Sequence, residues 1–219
     1  MKFATSAMIS AAMALSAVPA QAAINLITNG SFEQIGPSVV FVDGVAQING
    51  INSTALTRWQ THATYQYKIN RNYDASAGKT SVDLSGPRAL ILPFNLRDLE
   101  VGKKYHIAVD LSGNPAATVN PVLKVSVLSN STHTFAAPAG PTASNMGWVR
   151  VAADFIATQT VHIIHFANAD PNSTTNNGPV IDNVFIGAAV PEPQNWALFI
   201  IGFGVIGVVS RRKATRQTA

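Results

Sequence analysis

The stretch Lys104-Tyr105-His106-Ile107-Ala108-Val109-Asp110-Leu111 decides the fold class of the central part of the chain. Large apolar side chains occupy every second position, and small or polar side chains fill the positions between them. Successive side chains of a β-strand point to opposite faces of a sheet, so this alternation is typical of a strand with one buried face. The stretch therefore predicts a sheet that packs on a core through one face.

Short segments of the same kind recur from residue 24 to residue 187, separated by turn sequences such as Asn29-Gly30 and Gly113-Asn114-Pro115. This region lacks the 3.6-residue periodicity of a helix. Many short strands at this spacing indicate an all-β domain, either a two-sheet sandwich or a jelly roll. The predicted strands are Val39–Ile48, Thr64–Ile69, Ser81–Leu84, Arg88–Pro93, Lys104–Leu111, Val122–Leu128, Gly147–Phe155, Val161–Ala167 and Val180–Ile186.

Composition and charge exclude several classes of function. The 219 residues contain no Cys, which excludes disulfides, zinc–thiolate sites and a Cys nucleophile. The sequence pI is about 9.6, but five of the 15 basic residues lie in the two end segments. Residues 23–189 contain ten basic and ten acidic residues, so this part is formally neutral. A nucleic-acid partner is therefore not expected.

Residues 1–22 have the order of a secretory signal peptide, which would form a short N-terminal signal helix. Lys2 supplies the positive charge, Ala7–Val18 is a short apolar run, and Ala20-Gln21-Ala22 is a small-x-small cleavage site before Ala23. The sequence thus predicts export and cleavage by signal peptidase. The alternative is a short buried helix at the N-terminus.

Residues 190–219 contain three ordered features. Pro191-Glu192-Pro193 precedes the apolar run Trp196–Val209, and the basic cluster Arg211-Arg212-Lys213 follows it. As a helix, this run would reach about 21 Å against a hydrocarbon core of about 30 Å, a short transmembrane helix. The basic cluster would stay on the cytoplasmic side of the inner membrane. The alternative is a plain C-terminal membrane anchor.

This order resembles the PEP-CTERM sorting tail of Gram-negative bacteria that make exopolysaccharide. The matching residues are Pro191, Glu192, Pro193, Trp196, Gly202, Gly204, Arg211 and Arg212. The resemblance implies a transient inner-membrane anchor that an exosortase cuts near Pro-Glu-Pro, followed by release to the cell surface or extracellular matrix. Some such tails carry an "ice-binding protein C-terminal" label, which describes the tail and not an activity. Three segments are therefore expected: signal peptide 1–22, β-sandwich 23–189 and sorting tail 190–219.

Five phrases in the middle of the chain resemble the choice-of-anchor C family, which is similar to a plant cell-wall family of unknown function. The phrases are Asn25–Glu33, Ser81–Gly86, Leu111–Pro115, Met146–Trp148 and Gly178–Val184. The resemblance implies a galactose-binding-like jelly roll related in shape to carbohydrate-binding modules. In such modules the first and last phrases lie close together, often at a structural calcium ion, for which Glu33 and Asp182 offer hard oxygen ligands. The alternative is that these two carboxylates accept hydrogen bonds from backbone N–H groups.

Four aromatic residues lie within 15 positions of one another: Trp59, Tyr65, Tyr67 and Tyr73. Their rings could stack on sugars of an extracellular polysaccharide, or they could pack in the core or against a neighbouring strand. Neither Gly-x-Ser-x-Gly nor His-Glu-x-x-His is present, and nothing singles out a catalytic pair among the acids. The sequence predicts a non-enzymatic surface or matrix protein with weak carbohydrate binding. The alternatives are a cryptic polysaccharide-active enzyme and a purely structural biofilm or adhesion protein.

Overall fold

The computed structural model describes residues 24–49, 55–61, 66–86, 89–93, 96–170 and 178–189, apart from the side chains of residues 49, 61 and 66. The predicted signal peptide, the sorting tail and Tyr65 lie outside these residues. The described part contains strands and no helix. Its strands are β1 (Val45–Asn49), β2 (Trp59–Thr61), β3 (Gln66–Asn70), β4 (Ser81–Asp83), β5 (Leu90–Pro93), β6 (Lys104–Ser112), β7 (Val122–Val127), β8 (Ser131–Ala136), β9 (Val149–Ile156), β10 (Ile164–Asn168) and β11 (Val180–Ala188). It accordingly includes no helix long and apolar enough to cross a membrane.

The strands form two antiparallel sheets. One has the order β1-β3-β4-β11-β6-β9 and the other has the order β2-β5-β10-β7-β8. From β4 to β11, each strand lies in the opposite sheet from the strand before it, except in the β7–β8 hairpin. The last four strands of each sheet in these orders therefore wrap as a jelly roll. The predicted all-β sandwich is confirmed.

The inner faces of the two sheets supply the core. Ile69, Val82, Leu111 and Ile181 come from the first sheet, and Phe166 comes from the second. The opposite face of β6 is covered as well, since Ala108 and Asp110 are also buried. The Ser76 hydroxyl of the β3–β4 loop donates to Asp110, and the Ser112 hydroxyl donates to the Met146 carbonyl of the β8–β9 loop. The sequence predicted one buried face for this strand, and the structure shows that loops cover its other face as well.

Some predicted strand limits are wrong, and two strands were missed. The segment Val39–Ile48 becomes a strand only at Val45, because Asp43 and Gly44 have positive φ and form a turn. Strand β8 lies at the edge of its sheet, and its side chains alternate between half-buried and exposed. Its sequence therefore lacks the run of large apolar residues that marks a strand. Strand β2 has three residues, too few to show a period.

Candidate functional site

Two of the four aromatic candidates lie in the core. Trp59 is 1% exposed, and its ring centroid lies 4.9 Å from that of Phe32 and 5.9 Å from that of Phe166. Its indole nitrogen donates a hydrogen bond of 2.9 Å to the Asn29 carbonyl. Tyr67 is equally buried, and this burial raises the pKa of its phenol. The prediction that Trp59 and Tyr67 contact a glycan is therefore wrong, since neither ring face reaches solvent.

Tyr73 is the one described candidate on the surface. It lies half-buried after β3, and its hydroxyl donates to the Asn114 side-chain oxygen at 3.3 Å. Burial, followed by the nearby charge of Asp83, raises the pKa of Tyr73 to about 12, so the phenol is neutral near pH 7. Tyr73 also lines a surface groove.

This groove has a volume of about 600 Å³ and lies between the β3–β4 loop and the β8–β9 loop. Two hydrogen bonds hold the loops together. The Asp74 amide donates to the Ala143 carbonyl at 2.8 Å, and the Trp148 indole donates to the Asp74 carbonyl at 2.8 Å. Its lining residues are Arg71, Asn72, Tyr73, Asp74, Ala75, Gly78, Lys79, Ala143 and Ser144.

Several polar side chains of the groove are free to meet a ligand. Asp74, Lys79 and Ser144 are exposed, and their side chains have no hydrogen-bond or ion-pair partner within the described residues. Arg71 lies over the ring of Phe41, with 4.0 Å between the guanidinium carbon and the ring centroid. The groove thus combines a carboxylate, an ammonium, a guanidinium and a hydroxyl with the ring of Tyr73.

Three carboxylates hold the loop that forms one wall of the groove. Glu33 accepts the amides of Lys79 and Thr80 at 2.9 and 2.8 Å, and Asp182 accepts the amide of Ala77 at 2.7 Å. Asp110 accepts the hydroxyl of Ser76. We call residues 76–80 the clamped loop, because side chains from three separate segments hold it.

The structure therefore brings Glu33 and Asp182, the predicted calcium ligands, to the same loop. Both accept backbone hydrogen bonds there, which is the alternative interpretation of the sequence. Among the described residues, no three His, Cys, Asp or Glu side chains are grouped so that they could hold a metal ion. Calcium binding stays a prediction, and calorimetric titration with Ca²⁺ tests it.

Comparison with known proteins places the chain in a family. Residues 25–187 match the family described as "Protein of unknown function (DUF642)". The chain belongs to this family. Halomucin of Haloquadratum walsbyi is 28% identical to the DUF642 domain over 163 residues, which are 74% of this chain but 2% of Halomucin. The chain thus spans a small fraction of that relative.

The DUF642 domain is also similar to solved structures of carbohydrate-active proteins. The CBM22-1 xylan-binding domain of Paenibacillus barcinonensis Xyn10C has 16% identity and a TM-score of 0.45 over 78% of this chain and 97% of its own. TmCBM61 in complex with β-1,4-galactotriose has 16% identity and a TM-score of 0.42 over 76% and 99%. An arabinose-bound α-L-arabinofuranosidase, MgGH51, has 10% identity and a TM-score of 0.48 over 74% and 26%. All three TM-scores lie below 0.5.

A buried polar network lies beneath the groove of the DUF642 domain, and sequence reasoning missed it. Asn114 donates to Asp83 at 2.8 Å and to the Ser85 hydroxyl at 3.1 Å, and Ser85 in turn donates to Asp83. The amide of Gly178 donates to the same Ser85 hydroxyl at 3.4 Å. Burial raises the pKa of Asp83 to about 6, against the hydrogen bonds of Ser85 and Asn114 and the charge of Lys68.

The residues of this network come from three of the five sequence phrases. Asp83 and Ser85 lie in the second phrase, Asn114 in the third and Gly178 in the fifth. Ser112 joins the third phrase to the fourth through its bond to the Met146 carbonyl. Polar residues inside otherwise apolar phrases were the signal for a shared buried network, because a buried polar group needs a hydrogen-bond partner.

Proposed function

We propose that this DUF642 domain is a non-catalytic carbohydrate-binding domain of an exported cell-surface or matrix protein, and that the groove binds the glycan. One observation carries the proposal: Tyr73 shares the groove with polar side chains that have no partner of their own within the described residues. Sugars present hydroxyls that both donate and accept hydrogen bonds, together with apolar ring faces. Free donors and acceptors beside an aromatic ring match both properties.

A non-catalytic role is supported by the way one adjacent acidic pair is covered. Asp110 and Asp182 are direct neighbours across β6 and β11. Burial raises the pKa of Asp182 to about 7. Burial also opposes ionisation of Asp110, but hydrogen bonds from Ser76, Arg150 and Asn183 outweigh it and hold the pKa below its usual value. A pair of acids with one raised and one lowered pKa would suit the general acid and the ionised carboxylate of a glycosidase. Asp182 is 0% exposed, however, and the clamped loop lies over it.

Export and processing enter the proposal from the two ends of the chain. Signal peptidase would cut between Ala22 and Ala23, and an exosortase would cut near Pro191-Glu192-Pro193 after a transient stay in the inner membrane. Intact-mass measurement of the mature protein from its native host tests both steps. A mass that retains either end segment would contradict the corresponding cleavage.

Affinity electrophoresis of the mature protein tests binding, with the host exopolysaccharide, pectin, xylan and β-1,4-galactan in separate gels. We expect retardation in at least one gel. Replacement of Tyr73 by Ala, or of Asp74 by Ala, should abolish most of it. Thr134→Ala, on exposed strand β8 of the other sheet, is the matched control and should migrate like the parent protein.

Unretarded migration in every gel would reject glycan binding and favour the purely structural role. Release of reducing sugar from any of these polymers would overturn the non-catalytic assignment. Retardation that survives both groove substitutions would place the glycan elsewhere on the domain.

A further inference from the structure

We infer that the groove selects an acidic polysaccharide, one whose sugars carry carboxylate groups; this inference rests on the proposed function and names its ligand class. The groove is lined by two cations, Arg71 and Lys79, and by one acid, Asp74. Residues 23–189 as a whole are formally neutral, with ten basic and ten acidic residues. The lining therefore departs from the average of the domain towards positive charge.

Arg71 is positioned as a carboxylate receptor. Its amide donates to the Gly44 carbonyl at 2.9 Å, and its guanidinium lies 4.0 Å from the Phe41 ring centroid. Contact with the ring restricts the guanidinium, while its N–H groups have no acceptor within the described part of the chain. A planar guanidinium offers paired donors that match the two oxygens of a carboxylate. Because the ring contact already restricts Arg71, its side chain would lose less conformational entropy when a carboxylate binds.

Lys79 adds a second positive charge; it lies at the other end of the β3–β4 loop from Arg71. Its backbone is fixed, because its amide donates to Glu33 at 2.9 Å, whereas its exposed side chain has no ion-pair partner in the described residues. The neighbouring acids are already engaged with other groups. Glu33 and Asp182 accept backbone amides, and Asp110 accepts Arg150 at 2.9 Å. Asp74 is left to accept hydrogen bonds from sugar hydroxyls.

A paired-polymer experiment tests this inference on the mature protein. The probes are polygalacturonate and the same polymer after chemical reduction of its carboxyl groups, with affinities measured by isothermal titration. We expect polygalacturonate to bind at least about tenfold more tightly, and its affinity to fall several-fold between low and high salt. Arg71→Gln and Lys79→Gln should each weaken binding of the acidic polymer about fivefold or more, with little effect on the reduced polymer.

Two further variants sharpen the result. Arg71→Lys keeps the charge but loses the paired donors, so it should still bind less tightly than the parent protein. Lys124→Gln removes one charge from an exposed position on β7 in the other sheet, and it should bind like the parent. Thermal unfolding of every variant checks that the fold is intact.

The outcomes separate this inference from the proposed function. Equal affinity for the two polymers, unchanged by Arg71→Gln and Lys79→Gln, would overturn acidic selectivity and leave glycan binding standing. A loss of affinity in Lys124→Gln equal to that in the groove variants would also overturn it, because the effect would then follow net charge. Absence of binding to either polymer would overturn acidic selectivity; glycan binding would still stand if the protein is retarded in a xylan, β-1,4-galactan or host exopolysaccharide gel, and would fall with it if no gel retards the protein.

Discussion

Trp59 uses its single polar atom to join two distant segments of the chain. Its indole nitrogen bonds the carbonyl of Asn29, while its rings fill the space between Phe32 and Phe166. Asn29 itself has a φ of 61°, a region that Asn adopts more readily than most residues. Its side chain bonds Gln34 twice and the Thr57 carbonyl once. The sequence suggested Trp59 as a sugar-stacking residue, but in the structure it packs in the core and links the segment of Asn29 to β2.

We expect Trp59→Phe to lower the free energy of unfolding by about 2–3 kcal/mol, because it leaves a cavity and an unpaired carbonyl. Retardation in polysaccharide gels should be unchanged at temperatures where the variant is folded. Trp148→Phe is the reciprocal variant: its indole is half-buried beside the groove and bonds Asp74. Trp148→Phe should reduce the free energy of glycan binding by more than it reduces the free energy of unfolding. Urea unfolding and affinity electrophoresis, run together, would contradict this division if Trp59→Phe alone lost binding.

At the scale of the secondary-structure element, the clamped loop shows why its glycine cannot be replaced. Gly78 has a φ of +76°, and a Cβ built there would lie 2.5 Å from the Glu33 carboxyl carbon. Gly102 has a φ of +85°, but a Cβ there would meet no atom within 4 Å. The two positions share the backbone cost of a side chain at positive φ, and only Gly78 adds a collision.

We expect Gly102→Ala to cost about 1 kcal/mol, the cost of placing Ala at positive φ. Gly78→Ala should cost about 3 kcal/mol or more, since Glu33 must move and leave the two amides that it accepts. It should also reduce glycan retardation, because the loop lines the groove. Equal costs in urea unfolding would show that Glu33 does not hold the loop.

The elements also show what the sequence could predict. The buried segments of β6 and β7 were located correctly because large apolar residues at period two report burial directly. Strand β8 was missed because an edge strand with one exposed face can be built from Ser, Thr and His. The groove was missed for a different reason: Tyr73 and Ser144 lie about 70 positions apart in the chain, and their loops meet through the bonds that join Asp74 to Ala143 and Trp148. No local pattern encodes that contact.

At the scale of the whole molecule, the buried acids set the pH dependence of stability. The pKa of Asp83 is raised to about 6 and that of Asp182 to about 7, both from an ordinary value of 3.8. Between these limits the folded state binds more protons than the unfolded state, so the free energy of unfolding falls as pH rises. The lowered pKa values of Asp110 and Asp154 act in the opposite sense, and their stabilisation is lost in more acidic solution. Stability should therefore be greatest near pH 4 to 5, on the order of two units below neutrality.

Asp83→Asn isolates one of these groups. The amide does not titrate, so the fall in unfolding free energy between pH 4 and 6 should be shallower than in the parent protein, by up to about 1.4 kcal/mol per pH unit. The variant should lose some stability at every pH, because its NH₂ group faces the donor of Asn114. Asp154→Asn is the control: its pKa is lowered, so it should leave the slope above pH 5 unchanged. Urea unfolding across this range measures the slopes. Identical slopes for the parent and Asp83→Asn would show that Asp83 keeps the same protonation in the folded and unfolded chain. The buried network would then contribute nothing to the greater stability of the protein at acidic pH.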